Sequence, residues 1–206
     1  MIALAVPGGA TDVLLHACCA PCSGAILECM LANGLHPTVF YFNPNIYPRT
    51  EYERRKAESI RYAESLHVPF VDGDYDHAGW LRQVQGLEAE PERGSRCLAC
   101  FKGRLSVTAR YADEHEFTVF TTTLAASRWK NLHQINDAGC QAAALFPGLT
   151  FWEQNWRKGG LSDRRNELIK QYRFYNQTYC GCEYSVEGSK TNGESTFKSL
   201  KTLSPI

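Results

Sequence analysis

The sequence predicts an α/β fold in which a parallel sheet is covered by helices on both faces. Apolar, β-rich runs alternate along the chain with segments of helical periodicity, which is the pattern of parallel strands joined by crossover helices. A length of 206 residues with 44% hydrophobic composition is enough to bury a substantial core. We therefore expect a single α/β domain over residues 1–185.

Five apolar runs predict the strands, and the segments between them predict the helices. Strands are expected at 13–19 (VLLHACC), 38–45 (TVFYFNPN), 68–76 (VPFVDGDYD) and 117–125 (FTVFTTTLA), with a candidate fifth at 149–156 (LTFWEQNW). Helices are expected at 23–34, ending at Gly34, at 50–67, capped by Thr50, and at 76–85, 97–115, 131–146 and 162–177. Residues 186–206 are polar, which is typical of a poorly ordered tail.

Charge and hydropathy restrict the class of protein. Basic and acidic residues balance at 22 each, so no global field draws the chain to a polyanion, and a nucleic acid would have to be bound by a local patch. No segment approaches the ~18–20 consecutive apolar residues of a transmembrane helix. We expect a soluble, cytoplasmic protein without a membrane partner.

Most of the nine cysteines fall into clusters. In a reducing compartment such clusters bind metal or perform redox chemistry more often than they form structural disulfides. Cys29 and Cys140 stand alone on apolar helix stripes, where core packing is the default interpretation. The clustered cysteines are Cys18, Cys19, Cys22, Cys97, Cys100, Cys180 and Cys182.

The spacing of these cysteines indicates which metal they hold. Thiolates select zinc, copper(I) or iron–sulfur clusters over hard cations. One zinc ion usually takes cysteines spaced two to four apart, which fits Cys97 and Cys100 but not the adjacent pair Cys18 and Cys19. A larger cluster tolerates adjacent ligands better, so these four thiols together would complete a [4Fe-4S] site with Cys22 beside it.

The carboxyl ends of parallel strands meet at one edge of a sheet, where ligands usually bind. His16, inside the first strand, is interpreted as a satisfied core histidine. Several polar residues follow the second and fourth predicted strands and are candidate catalytic or substrate-binding groups, although turns, helix caps and solvated charges are the plainer explanations. These candidates are Asn43, Asn45, Tyr47, Glu51, Ser127 and Lys130.

Five motifs in consistent order give the chain a family resemblance. The sequence resembles the QueH-type epoxyqueuosine reductases over about residues 12–185. The motifs are CCAPC at 18–22, FNPNIYPRTEYERR at 42–55, RCLACFKGRL at 96–105, TTTLAAS at 121–127 and YNQTYCGCEYS at 175–185.

The resemblance implies an adenine nucleotide alpha-hydrolase-like (Rossmann-like) fold and the last step of queuosine biosynthesis. That step reduces the epoxide of epoxyqueuosine at the tRNA wobble position, with electrons from a donor that the sequence does not identify. By motif position a [4Fe-4S] cluster would lie on Cys18, Cys19, Cys97 and Cys100. An adjacent mononuclear metal, iron or another, would have Cys22 as a candidate ligand, and Cys22 is also a catalytic candidate as a proton donor. Cys180 and Cys182 would form a redox-active disulfide that relays electrons, or else a clip that stabilises the last helix.

For tRNA, a local basic patch is expected, with aromatic side chains that stack on a splayed anticodon base. The stacking candidates are Tyr47, Trp129 and Trp156. The basic candidates are Arg54, Arg55, Lys56, Arg128, Lys130, Arg157, Lys158, Arg164 and Arg165.

Two alternative functions compete with the reductase. A non-catalytic zinc module would use its CxxC pairs for structure while it binds RNA or protein. An ATP-dependent tRNA thiolase is disfavoured, because CCAPC occupies the place of the Ser- and Gly-rich phosphate loop that such enzymes use.

Overall fold

A computed structural model describes residues 2–185, which form a five-stranded sheet whose neighbouring strands are all parallel. The order across the sheet is β3-β2-β1-β4-β5. The strands are β1 (Asp12–His16), β2 (His36–Tyr41), β3 (Phe70–Asp72), β4 (Val119–Thr122) and β5 (Thr150–Phe151). The Rossmann-like α/β fold is therefore confirmed, while the predicted tail at 186–206 lies outside the described residues.

In the part of the chain that the structure describes, six α-helices longer than six residues follow the predicted alternation with the strands. The first ends at Ala32, and Gly34 with a φ of 73° follows it, as the sequence predicts. The second begins at Arg49 after Pro48, so the prediction that Thr50 caps it is wrong. The helices are α1 (Ala20–Ala32), α2 (Arg49–Ser65), α3 (His77–Gln83), α4 (Ser95–Glu114), α5 (Leu132–Ala143) and α6 (Leu161–Gln171).

The core divides between the two faces of the sheet because successive strand residues point to opposite sides. Val13 and Leu15 pack into one cluster with residues of α1, α2 and α6, whereas Leu14 packs into a second with residues of α4 and α5. At Gly139 a Cβ atom would lie 2.5 Å from the ring of Phe151, so α5 approaches β5 more closely than a larger residue would allow. Helices thus cover both faces, as predicted.

Each strand is shorter than the apolar run that predicts it. His16 ends β1 and Tyr41 ends β2, so residues 17–19 and 42–45, which close the two runs, lie in loops at the carboxyl edge of the sheet. His16 is fully buried; its Nδ1 lies 2.7 Å from Thr122 Oγ1 and its Nε2 lies 3.1 Å from the Phe42 carbonyl. The core interpretation of His16 is confirmed. Within residues 2–185, none of the helices has the length and apolar character needed to cross a bilayer.

Candidate metal centre

Three thiols lie together where β1 ends and α1 begins. The Sγ atoms of Cys18, Cys19 and Cys22 are all within 4.8 Å of one another, and those of Cys18 and Cys19 are 3.8 Å apart. Because β1 ends at His16, the adjacent cysteines escape the alternation that would point them to opposite faces of a strand. Soft ligands grouped in this way can bind a metal.

Hydrogen bonds within this group distribute its protons unevenly. Bonds from Cys19 and Cys22 hold the pKa of Cys18 well below its usual range. Bonding to Cys18 raises the pKa of Cys19 well above its usual range and raises the pKa of Cys22 to about 12. Thr123 Oγ1 also donates to Cys18 Sγ at 3.4 Å. These hydrogen bonds favour the thiolate form of Cys18 and the thiol forms of Cys19 and Cys22, and a metal ion that displaced the protons would stabilise all three thiolates.

The second cysteine pair lies in the first turns of α4. Cys97 is half-buried and lines the same cavity as Cys18 and Cys22, whereas Cys100 is 8% exposed and does not reach the cavity wall. Burial raises the pKa of Cys97 to about 11 and also raises the pKa of Cys100. Within residues 2–185 the compact group is formed by Cys18, Cys19 and Cys22, and Cys97 and Cys100 are not part of it.

A buried arginine connects α4 to the first thiols. Arg104 lies one turn after Cys100, is 2% exposed, and donates from its guanidinium to Asn43 Oδ1. Asn43 Nδ2 in turn donates at 2.9 Å to the carbonyl of Ala17, the residue before Cys18. No carboxylate among the described residues forms an ion pair with Arg104. Its positive charge is therefore available to the thiolates, and it opposes the rise that burial imposes on the pKa of Cys100.

This arrangement predicts that Arg104→Met weakens metal binding by roughly 10- to 100-fold, as is typical when a group that supports metal ligands is removed. Titration of the metal-free protein with Co²⁺, followed by thiolate-to-cobalt absorbance, measures the affinity. Arg110→Met is the matched control, because Arg110 is exposed on the same helix. Equal cobalt affinities for the two variants would contradict the role given to Arg104.

A C-terminal segment, residues 172–185, which we call the strap, is bonded to the loops at the carboxyl edge of the sheet. Arg55, only 2% exposed, donates to the carbonyls of Cys180 at 3.1 Å and Tyr179 at 3.4 Å, and pairs with Glu51 at 2.7 Å. Gln177 Nε2 donates to Cys19 Sγ at 2.9 Å. The strap therefore contacts the thiol group directly.

The strap also brings Cys180 and Cys182 to the cavity wall. Both are free thiols in this structure, and burial raises the pKa of Cys182 to about 11. Gly181, with a φ of 132°, separates them, and its carbonyl accepts a hydrogen bond from the Tyr47 amide at 2.8 Å. A redox-active disulfide between the two thiols stays a prediction.

The cavity has a volume of about 920 Å³, which is the size of a site for a nucleoside or a drug-sized ligand. Burial lowers the pKa of Lys130 on its wall, but the charges of Cys180, Cys18 and Cys22 outweigh that effect and raise the pKa above its usual range. The described lining residues include one acidic side chain, Glu92, and eight basic ones. The basic ones are Arg55, Arg93, Arg96, Arg104, Arg128, Lys130, Arg157 and Arg165.

Comparison with known proteins decides the family. The sequence profile described as "Epoxyqueuosine reductase QueH" matches residues 13–188. The chain belongs to the QueH family. Among relatives named epoxyqueuosine reductase QueH, the Haemophilus influenzae protein is 48% identical over 193 residues, 94% of this chain and 79% of the relative. The Histophilus somni protein is 49% identical over 183 residues (89% and 75%), and the Acinetobacter baylyi protein is 48% identical over 185 residues (90% and 85%).

The two asparagines predicted for this QueH-family site both line the cavity, but their hydrogen bonding differs. Asn43 is fully buried and bonded through both ends of its amide to Arg104 and Ala17. Asn45 is 2% exposed, and its Oδ1 has no hydrogen-bond partner among the described residues. Asn45 is therefore the better placed of the two to bind a substrate donor.

The four weaker candidates separate into two that line the cavity and two that do not. Ser127 and Lys130 line it, and Ser127 Oγ accepts a hydrogen bond from the Trp129 amide at 3.3 Å. Tyr47 is 44% exposed and stacks on His77 with ring centroids 5.2 Å apart. Glu51 pairs with Arg55, so its contacts are those of a residue that positions the strap. Substrate binding by these residues stays a prediction.

The sequence does not predict three of the residues that build this QueH-family site, namely Arg55, Arg104 and Gln177. RCLACFKGRL contains Arg104 at four residues from Cys100, a helical spacing that gives a weak signal for it. Arg55 shares a helical stripe with the buried Tyr52, which is likewise a weak signal. The partners of Arg55 and Gln177 lie more than a hundred residues away along the chain, and the sequence gives no local signal for those contacts.

The exposure and the ion pairs of four side chains contradict other predictions made from the sequence. Trp156 is 1% exposed, so the prediction that it stacks on a base is wrong. Arg55 is buried by the strap and Arg164 pairs with Glu28 at 2.7 Å, so neither is a free member of the basic patch. Cys29 is buried as predicted, but Cys140 is exposed, so core packing is wrong for Cys140.

Proposed function

We propose that this chain reduces the epoxide of epoxyqueuosine at the tRNA wobble position to the alkene of queuosine, at a [4Fe-4S] cluster held by Cys18, Cys19, Cys97 and Cys100. The observation that supports it most directly is that two of these ligands, Cys18 and Cys19, lie with Cys22 in a group of thiols within 4.8 Å of one another, beside a cavity of about 920 Å³ that Cys97 also lines. The substrate follows from the family, whose matched members are named epoxyqueuosine reductases.

The donor set fits an iron–sulfur cluster. Clusters of this kind are held by cysteine thiolates, and Cys97 lines the same cavity as Cys18. Cys97 and Cys100 lie three residues apart on α4, so both thiols project from one side of that helix. Cys22, beside Cys18 and Cys19, is the candidate ligand for an adjacent mononuclear iron.

The reaction consumes two electrons and two protons and releases the epoxide oxygen as water. When bound, the cluster supplies single electrons and the mononuclear iron supplies a Lewis acid for the epoxide oxygen. The Lys130 ammonium holds protons on the cavity wall, and Asn45 Oδ1 accepts a hydrogen bond from a substrate hydroxyl. Oxidation of Cys180 and Cys182 to a disulfide would release two electrons and two protons, which is the stoichiometry that the epoxide requires.

An anaerobic assay tests the proposal. The full-length chain, purified and reconstituted without oxygen, should contain iron and sulfide and show broad absorbance near ~400 nm. With epoxyqueuosine-containing tRNA and a strong reductant, it should yield a nucleoside lighter by one oxygen atom, as read by mass spectrometry. Cys140→Ser should match the wild type in both respects, because Cys140 does not line the cavity.

Two results would contradict different parts of the proposal. A colourless protein that holds zinc would exclude the cluster and favour the zinc module. A brown protein that leaves epoxyqueuosine unchanged under reduction would retain the cluster and exclude the substrate.

A further inference from the structure

Trp129 is an exposed tryptophan at the cavity that holds the candidate metal centre. Its side chain is 65% exposed, whereas Trp80, Trp152 and Trp156 are at most 5% exposed. It lines the same cavity as Cys18, on the loop between the end of β4 and the start of α5. A single exposed hydrophobic residue needs no special explanation, but Trp129, unlike Leu145, is exposed at the wall of a cavity, where its ring can contact a bound ligand.

The loop that carries Trp129 is fixed by hydrogen bonds to its backbone. Arg93 Nε donates to the Trp129 carbonyl at 2.9 Å, and Arg93 Nη2 donates to the Arg128 carbonyl at 3.1 Å. Arg157 Nη2 donates to the Lys130 carbonyl at 2.9 Å. An indole presented on a backbone that is already ordered loses little conformational entropy when a ligand stacks on it.

The charges around Trp129 indicate the chemistry of that ligand. Although the whole chain carries equal numbers of basic and acidic residues, the described cavity lining contains one acidic side chain and eight basic ones, of which Arg55 alone pairs with a carboxylate among the described residues. The Arg128 guanidinium lies 4.8 Å from the centre of the Trp129 ring. A flat aromatic surface bordered by cations is suited to an unpaired nucleobase with its phosphates, and not to an apolar peptide or a lipid tail.

We propose that Trp129 is a stacking platform for the unpaired base next to the nucleotide that enters the cavity, in single-stranded anticodon RNA. The inference rests on the proposed function, because it takes tRNA as the substrate. Stacking on Trp129 holds the neighbouring base outside the cavity while the modified nucleotide reaches the thiols. Since every base has an aromatic face, this contact adds affinity without selecting a sequence.

Binding of an anticodon stem-loop RNA to the full-length reconstituted protein, without reductant, tests the platform. Trp129→Ala should weaken binding about 10-fold, within the roughly 5- to 150-fold range expected for one base stacked on an aromatic side chain, whereas Trp129→Phe should retain most of the affinity. Leu145→Ala is the control, because Leu145 is 70% exposed and does not line the cavity. It should bind as the wild type does.

A second RNA separates stacking from a general contact. Abasic substitution of the flanking nucleotide should weaken binding to the wild type but have little further effect on Trp129→Ala, since each change removes the same contact. Equal losses in both proteins, or an unchanged affinity of Trp129→Ala, would overturn the platform.

The same measurements distinguish the platform from the reductase. If the wild type converts epoxyqueuosine and Trp129→Ala binds RNA normally, the platform fails alone. If the abasic RNA and Trp129→Ala show the expected coupling but the wild type does not convert epoxyqueuosine, the platform stands and the proposed reaction fails. A wild-type protein that does not bind the stem-loop would overturn the platform.

Discussion

Replacing Cys18 by serine is expected to abolish the binding of iron and sulfide by the reconstituted protein, and with it the absorbance near ~400 nm and the reduction of epoxyqueuosine. Hydrogen bonds from Cys19 and Cys22 lower the pKa of Cys18, which favours the thiolate form that binds a metal. Serine preserves the size of the side chain but removes the soft ligand. Iron and sulfide analysis measures the loss.

The same experiment decides which thiols form the ligand set. Cys19→Ser, Cys97→Ser and Cys100→Ser should lose the cluster as Cys18→Ser does, whereas Cys140→Ser, exposed on α5, should keep it. Cys22→Ser should keep the cluster and lose only the adjacent mononuclear iron. Loss of the cluster in Cys22→Ser together with its retention in Cys97→Ser would contradict the assignment and favour ligands from the compact group at 18–22.

The second large effect concerns the strap. Arg55→Met is expected to lower the free energy of unfolding by about 3–5 kcal/mol, because it leaves the carboxylate of Glu51 largely buried without its counter-charge. The side chain of Arg55 is 2% exposed and that of Glu51 is 10% exposed, and two strap carbonyls lose their donor in the variant. Urea denaturation of the metal-free protein measures the change.

Arg49→Met is the matched control for Arg55→Met. Arg49 lies on the same helix and pairs with Glu53 at 3.5 Å, but the two side chains are 74% and 44% exposed. Ion pairs this exposed contribute at most about 1 kcal/mol. Equal losses of stability for the two variants would contradict the role of Arg55.

Release of the strap should change the reactivity of nearby thiols as well as the free energy of unfolding. Cys180 and Cys182 lie on the segment that Arg55 holds, and Cys182 is 7% exposed in the intact protein. Both thiols should react faster with iodoacetamide in Arg55→Met than in Arg49→Met under conditions where both proteins are folded. Unchanged alkylation rates would show that other contacts hold the strap, among them the bond from the Tyr47 amide to Gly181.

The sequence by itself determined the α/β class, the alternation of strands and helices, and the edge of the sheet where the site lies. Successive residues of a strand point to opposite faces of the sheet, and this rule depends only on the local backbone. Val13 and Leu14 therefore pack into the clusters on opposite faces, as the sequence predicts. The sequence places Cys18 and Cys19 at the carboxyl end of the first predicted strand, but only the structure shows that β1 ends at His16 and leaves both thiols beyond it.

Tertiary structure alone decided which polar side chains belong to the site. Helical periodicity places Arg55, unlike its neighbour Arg54, on the same face of α2 as the buried Tyr52. The sequence does not show that the strap covers this face, with carbonyls 124 and 125 residues further along the chain that accept hydrogen bonds from Arg55. Likewise α6 ends at Gln171, six residues before the predicted end at 177, which leaves Gln177 free to reach Cys19. Local patterns depend on neighbours within a few residues, whereas these contacts depend on long-range packing that only the folded chain establishes.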